Sequence, residues 1–381
     1  MSALLYIGMG QSIFLAMLIV GKRSTQKFDY LLAAWLLISA LQLLFFHLNF
    51  IDRTDKLVPL LLMGGLLAFI TGPLLYLYVI ALLGRRPFRL LLQWYHLIPF
   101  VFFSGHFLYF HFADVPGTRV WVEDGYLHSR GSVPPYMGYY GLILAFFSCL
   151  YPALSLYLLF RHRRQLENRF SYTEKVSLDW LRNWIILSLI GFWISFIIIW
   201  AGEFQWVTMR SSFQIVSGYI VFNVMVIGYF GLKQGSIFTN PAKLTLADDP
   251  QAPKPKYASS SLSKDDLQEH SKALTDHMEE NQPHLQATLT IDDLAGALGF
   301  TRHQLSQVIN SVFGQNFFDF INEYRVREFE QRVQDEQYAH LTLLGIALDC
   351  GFNSKSSFNQ IIKKMRGQTP SELRSHLKKA S

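Results

Sequence analysis

Seven stretches of the chain, about 2–20, 28–48, 57–83, 93–112, 136–160, 181–201 and 212–232, are apolar over a length that constrains the fold strongly. A helix needs roughly 20 such residues to cross about 30 Å of hydrocarbon. Inside lipid every backbone N–H and C=O must be paired within its own segment, so runs of this length read as helices. The charges are distributed to match. Residues 1–232 hold 17 Lys/Arg and 10 Asp/Glu, whereas residues 233–381 hold 17 and 18. An apolar seven-helix domain over 1–232 and a polar domain over 262–381 are expected. The first stretch lacks a basic leader and is followed by "GKRSTQK", so it reads as a retained span and not as a cleaved leader.

The loops after the first, third and fifth stretches carry three, three and six Lys/Arg, while the alternate loops carry two, two and one. This alternation places the N-terminus outside and the C-terminal domain in the cytoplasm of an inner-membrane protein. Polar residues at depth are few: Gln11, Thr71, Ser104, Ser195 and Asn223 read as hydrogen-bonding groups between helices. Paired acids, bases or nucleophiles are missing from the spans, which argues against a catalytic step. His47, His106, His111 and Glu203 fall near the outer span ends; His106 and His111, five apart, point to different faces and read as interfacial residues. The outer loop 113–135, with Trp121 and Tyr126, is expected to cover an outward-facing pocket. Cys149 and Cys350 lie in different domains with neither disulfide nor metal-ligand spacing. No cofactor or metal is implied.

Between the two domains, residues 233–261 lose their apolar density. "TNPAKLTLADDPQAPKPKYASSS", from Thr239 to Ser261, has the prolines and serines of a flexible tether. Residues 262–281 then form a polar helix with Leu267, Leu274 and Met278 inward. Thr290 caps a helix with Ile291, Leu294, Ala295 and Leu298 at i, i+3, i+4, i+7 spacing, ended by Gly299. Thr301 and Gln304 make a capping box for a second helix, which turns Leu305, Val308, Ile309 and Val312 inward and stops at Gly314. The pattern returns with Leu343, Ile346, Ala347 and Cys350, a turn at Gly351–Phe352–Asn353, then Phe358, Ile361, Ile362 and Met365 before Gly367. "TPSE", from Thr369, caps a closing helix. Between the repeats, residues 316–334 read as one helix with Phe317, Phe320, Ile321 and Tyr324 inward. At 1.5 Å per residue it spans roughly 27 Å, a spacer suited to two helices about 34 Å apart, one turn of DNA.

"LTIDDLAGALGFTRHQLSQVINSVFGQNFFDFINEYRV" followed by "IALDCGF…F…KK…G.TPSELR" resembles the DNA-binding domain of the AraC/XylS family of transcription regulators, over residues 262–377. The resemblance implies that the second helix of each unit reads bases in one of two adjacent major-groove segments of double-stranded DNA. Carried over by position, the readers are His303, Ser306, Gln307 and Asn310 in the first unit and Lys355, Ser356, Asn359 and Gln360 in the second. Gln and Asn suit adenine, and Lys reaches guanine. Lys363, Lys364 and Arg366 stand where phosphate contacts are expected. Gln360 replaces a common arginine, Ile362 and Arg366 replace phenylalanines, and Phe329 replaces an alanine. Residues 350–381 hold seven Lys/Arg and one acid, against four and nine in 285–349. The second unit should therefore carry most of the salt-dependent affinity.

The expected fold is all-α: a polytopic seven-helix domain followed by a tandem helix-turn-helix domain. The expected function is sequence-specific transcription regulation from the bilayer, coupled to an unknown signal ligand or membrane partner, with a homodimer as one possible assembly. Rival readings are a transporter or membrane enzyme with an appended regulatory domain, or a DNA-binding domain on a plain anchor.

Overall fold

The computed structural model describes residues 2–22, 25–51, 64–83, 90–112, 119–123, 126–130, 140–172, 178–237 and 262–380. The chain divides into two compact units, Met1–Phe160 with Leu178–Ala247, and Arg161–Ser177 with Asp248–Ser381. Apart from its terminal helix, the proposed tether at 233–261 lies outside the described residues.

The first unit is built on α1 (Ser2–Val20), α2 (Lys27–Ile51), α3 (Ala68–Leu82), α4 (Ile98–Phe112), α5 (Tyr140–Glu167), α6 (Asp179–Glu203) and α7 (Met209–Ile237). Its main core joins Ile19 of α1, Leu36 and Leu43 of α2, Leu181 and Ile185 of α6, and Val224 of α7. Small residues set the α1–α7 approach. A Cβ on Gly8 would lie 2.4 Å from Val221, and one on Gly228 would lie 2.1 Å from Leu15. Without a Cβ, glycine lets the neighbouring helix approach this closely.

Six helical stretches among the described residues are long and apolar enough to cross a membrane: Ala3–Val20, Phe28–Leu48, Gly64–Leu82, Gly141–Glu167, Asp179–Gly202 and Ser211–Phe230. The expected span at 93–112 takes another form, a 3₁₀ stretch over Leu90–Leu97 leading into the 15-residue α4. Pro99 is the physical reason. Without an N–H it is best accommodated in the first turn of an α-helix, and α4 starts beside it, whereas Pro73 of α3 and Pro152 of α5 are carried inside their helices. Among the described residues of the expected outer loop an antiparallel hairpin forms, β1 (Arg119–Glu123) paired with β2 (Tyr126–Arg130) from Arg119↔Arg130 to Glu123↔Tyr126.

Large apolar side chains line the outside of α6, where Ile190, Ile194 and Ile197 follow a helical stripe at 53%, 52% and 63% exposure. Among the polar residues at depth, Asn223 of α7 accepts from Ser188 Oγ of α6 at 2.6 Å, and Tyr219 donates to the Ser188 carbonyl at 2.7 Å. Thr71 instead bonds back to Ala68 within its own helix. His47 is bonded to Tyr6 at 2.6 Å, and His106 stacks on Phe102. The His111 and Glu203 side chains lie outside the described ones.

The second unit contains α8 (Lys264–Asn281), α9 (Ile291–Leu298), α10 (Arg302–Phe313), α11 (Phe317–Gln334), α12 (Leu343–Asp349), α13 (Lys355–Arg366) and α14 (Pro370–Ala380). The expected caps form: Thr290 and Asp293 make a capping box on α9, and Thr301 and Gln304 make one on α10. Gly299, Gly314 and Gly367 end α9, α10 and α13 in left-handed conformations. Two hydrophobic cores result, and α11 is common to both. Phe317, Phe320 and Ile321 join Leu294, Leu305 and Ile309 in the first. Phe318, Val326, Phe329 and Val333 join Ile346, Phe358 and Ile362 in the second. Phe329, where the resembling family has alanine, meets Phe358 edge-on at 4.8 Å. Because one rigid helix supplies both cores, the two halves hold a fixed mutual geometry.

A strap over 282–290 adds a further tie. Asn353 donates to the Ala287 carbonyl at 2.8 Å, and the Arg325 guanidinium donates to the carbonyls of His284 and Gln286, each at 2.8 Å. Gly351 has φ of +89°, and a Cβ there would sit 2.5 Å from the His284 oxygen and 2.9 Å from that of Leu285. Gly351→Ala should destabilise the second unit by about 3 kcal/mol, through backbone strain and overpacking. Gly345→Ala, which meets nothing closer than 3.4 Å, should be near neutral. Urea-dependent pulse proteolysis of the solubilised chain measures both. Burial lowers His284 to about 4, so the fold holds it neutral. Its contribution is complete above about pH 6.5, its ordinary value, and is lost as pH falls from there toward the folded value. The same assay run between pH 7 and pH 4 should show the second unit weakening, with His284→Gln flattening the trend.

Candidate nucleic-acid interface

Helix α10 buries Leu305, Val308 and Ile309, which leaves its opposite face to solvent. His303 and Asn310 are exposed, and Ser306 and Gln307 are half-buried on the same side. Asn310 turns its amide back to the Ser306 carbonyl at 2.7 Å and to Ser306 Oγ at 3.2 Å. Reaching a base edge would require it to exchange those bonds. Helix α13 repeats the arrangement. Phe358, Ile361 and Ile362 are buried, while Lys355, Ser356, Asn359, Gln360, Lys363 and Lys364 are exposed. The structure therefore puts each set of four proposed readers on one outward helical face, and the two helices belong to halves that share α11.

The three expected phosphate contacts differ in their surroundings. Lys363 is exposed in the last turn of α13, beside the negative end of the helix dipole. Lys364 pairs with Asp319 at 2.5 Å. Arg366 is taken up inside the domain, with its Nε on Glu330 at 2.6 Å and its Nη2 on Glu323 at 3.1 Å. The hydrogen bonds that Arg366 donates to Glu330, then to Glu323, hold its pKa above the usual value. Burial pushes the Glu323 carboxyl up, but Arg366 and Arg327 outweigh it and leave the group below the ordinary range. Arg366 thus ties α13 to α11, doing by ion pairing what phenylalanine would do by packing.

Composition and spacing did not reveal the most buried charge of the second unit's described residues. Arg325 is 1% exposed, its hydrogen-bond partners among the described residues are all neutral, and burial lowers its pKa to about 10. The available signal was its register, four residues after Ile321 and four before Phe329 on the inward stripe of α11. A charge on such a stripe needs built acceptors.

Residues 294–376 match a family described as "Helix-turn-helix domain", and this part of the chain is an AraC-type helix-turn-helix domain. Matched relatives include proteins named as a transcription factor, a regulatory protein and HTH-type transcriptional regulators. The chain is 27% identical over 86 residues to "Probable transcription factor PqrA" of Proteus vulgaris, covering 23% of this chain and 68% of that protein. It is 26% identical over 110 residues to "Regulatory protein SoxS" of Escherichia coli (strain K12), covering 28% and 98%. It is 31% identical over 91 residues to an uncharacterized HTH-type transcriptional regulator of Staphylococcus aureus (strain COL), covering 24% of this chain. The chain spans 12% of the length of that regulator. No solved structure matches the chain.

Lys363→Gln should weaken binding to all duplexes similarly and lower the salt slope of log K by about one. Arg366→Gln should instead cost about 2 kcal/mol of domain stability and leave the salt slope unchanged. Fluorescence-anisotropy titrations at several salt concentrations, paired with unfolding curves, separate the two.

Proposed function

We propose that the chain is a membrane-embedded, sequence-specific DNA-binding transcription regulator that couples a membrane or extracytoplasmic signal to gene expression. The observation that carries the reading is the pair of polar helical faces on α10 and α13, held by one shared helix in a domain of AraC type. Such a pair suits two successive major-groove segments of double-stranded DNA, with His303, Ser306, Gln307 and Asn310 in one and Lys355, Ser356, Asn359 and Gln360 in the other.

Residence in a bilayer is supported by six long apolar helices and by the exposed isoleucine stripe of α6, because soluble proteins rarely expose so much contiguous apolar surface. Orientation rests on the loop charges, which require an odd number of crossings. The 15 residues of α4 rise about 23 Å and the eight 3₁₀ residues before them about 16 Å, together enough for a seventh crossing. Trp94 and Tyr95, exposed on that 3₁₀ stretch, suit an interfacial position. The regulatory domain would then face the cytoplasm of a bacterial or archaeal cell, where DNA is reachable. Tethering keeps its search near the bilayer and raises local concentration at any site brought there. A signal ligand or membrane partner would act on the first unit. Dimerisation is compatible with this scheme but not required, since tandem units let one chain cover a site.

The full solubilised chain should select a duplex from genomic fragments and bind it at least about tenfold better than random duplex at moderate salt. A folded chain with no preference would overturn the reading. A topology reporter fused after Ser381 should be cytoplasmic; export of that terminus would overturn it equally.

A further inference from the structure

Residues 161–172, the last turns of α5 and the segment that follows it before α6, belong to the second unit. Where α5 ends, the chain turns and runs antiparallel to the entry of α9, with Phe170 opposite Thr290. Ser171 N–H donates to the Leu289 carbonyl at 3.2 Å, and Ile291 N–H donates to that of Arg169 at 3.0 Å. Ser171 Oγ donates to Leu289 O at 2.7 Å and accepts from Arg325 Nη2 at 3.0 Å. The Ser171 carbonyl accepts from Arg325 Nη1 and from Asn322, both at 3.1 Å. Phe170 and Ser171 are 8% and 1% exposed. Beyond them, Asp292 joins Arg169 at 3.3 Å and Arg302, the first residue of α10, at 2.9 Å.

This contact has the chemistry of a specific dock. The guanidinium has five N–H donors, and two of its five bonds end on Ser171, with the rest on His284, Gln286 and Asn322. Leaving a buried charged donor without acceptors is costly, so the domain's own residues leave a vacancy that this strand fills. The strand is covalently continuous with α5, and through residues 173–177 with α6. It covers none of the proposed readers: His303, Lys355, Asn359 and Gln360 stay exposed.

We propose that residues 168–172 are a docking strand gripped by Arg325 and Asn322 of the DNA-binding domain, and that α5 and α6 govern the domain's output through this grip. The control step rests on the DNA-binding reading; the dock does not.

The non-hydrogen-bonded pair 170/290 should bring its Cα atoms to about 4.5 Å, within disulfide range. Full-length F170C/T290C in native membranes, with Cys149→Ser in the background and copper phenanthroline as oxidant, should yield the 170–290 linked peptide as the main product in a non-reduced digest. Cys350 is buried and its thiol is pushed up to about 12, so it should stay unlinked. Adding Ser171→Arg, which sets like charge against Arg325, should reduce the link about tenfold, and Ser171→Ala should reduce it less. In the native-cysteine chain, Ser171→Arg should shift output from a reporter fused to the preferred site by about fivefold or more. Its DNA affinity after solubilisation should stay within roughly twofold of wild type. Absence of the link in a protease-resistant, folded chain would overturn the dock, and an unchanged reporter despite a lost link would overturn the control step. A link formed in a chain with no preferred DNA would retire the DNA-binding reading and leave the dock standing.

Discussion

The second unit is organised around a positive charge that cannot reach water. Arg325 is enclosed among carbonyls, an amide and a hydroxyl, so every donor is met by a neutral acceptor among the described residues. Neutral acceptors stabilise the ion only while all are in place, and that requirement links parts far apart in sequence. The strap at 282–290 must pass close by, Gly351 must leave room for it, and Ser171 must arrive from the segment between α5 and α6. Each of these is a backbone or hydroxyl contact and not a packing contact. Loss of one therefore exposes the others to the full cost of an unpaired buried group.

The division of labour along α11 follows from the same geometry. Phe317, Phe320 and Ile321 feed one core while Phe318, Val326, Phe329 and Val333 feed the other, so the two outward helical faces move as one body. Arg366 reinforces this by bridging α13 to Glu323 and Glu330. A regulator that must reach two groove segments at once benefits from such stiffness, because flexibility between the halves would have to be removed on binding.

Much of this was legible in the sequence because it depends on local rules. Thr290, Thr301 and Thr369 announce helix starts, Gly299, Gly314 and Gly367 announce ends, and the inward stripes follow helical spacing, except that Val312, expected inward in the last turn of α10, is 47% exposed because the core side of that helix ends at Ile309. The outward residues of α10 and α13 were legible by subtraction. The 3₁₀ entry to α4 was signalled by Pro99, but apolar composition masked it. Arg325 and Ser171 were not foreseen, since their partnership spans 154 positions and neither residue breaks a local pattern strongly. Arg366 shows the reverse failure. Its charge suggested a phosphate contact, whereas its place opposite two glutamates can be read only once α11 and α13 are packed.

Native-state amide hydrogen exchange on the full chain tests most directly whether this charge organises the domain. The Ser171 amide is bonded to Leu289 and the Ile291 amide to Arg169, so both should be protected to the same degree as the buried amides of α11, and both should lose protection in Arg325→Leu. Exchange of Ser171 at the rate of an open loop, with α11 fully protected, would contradict it.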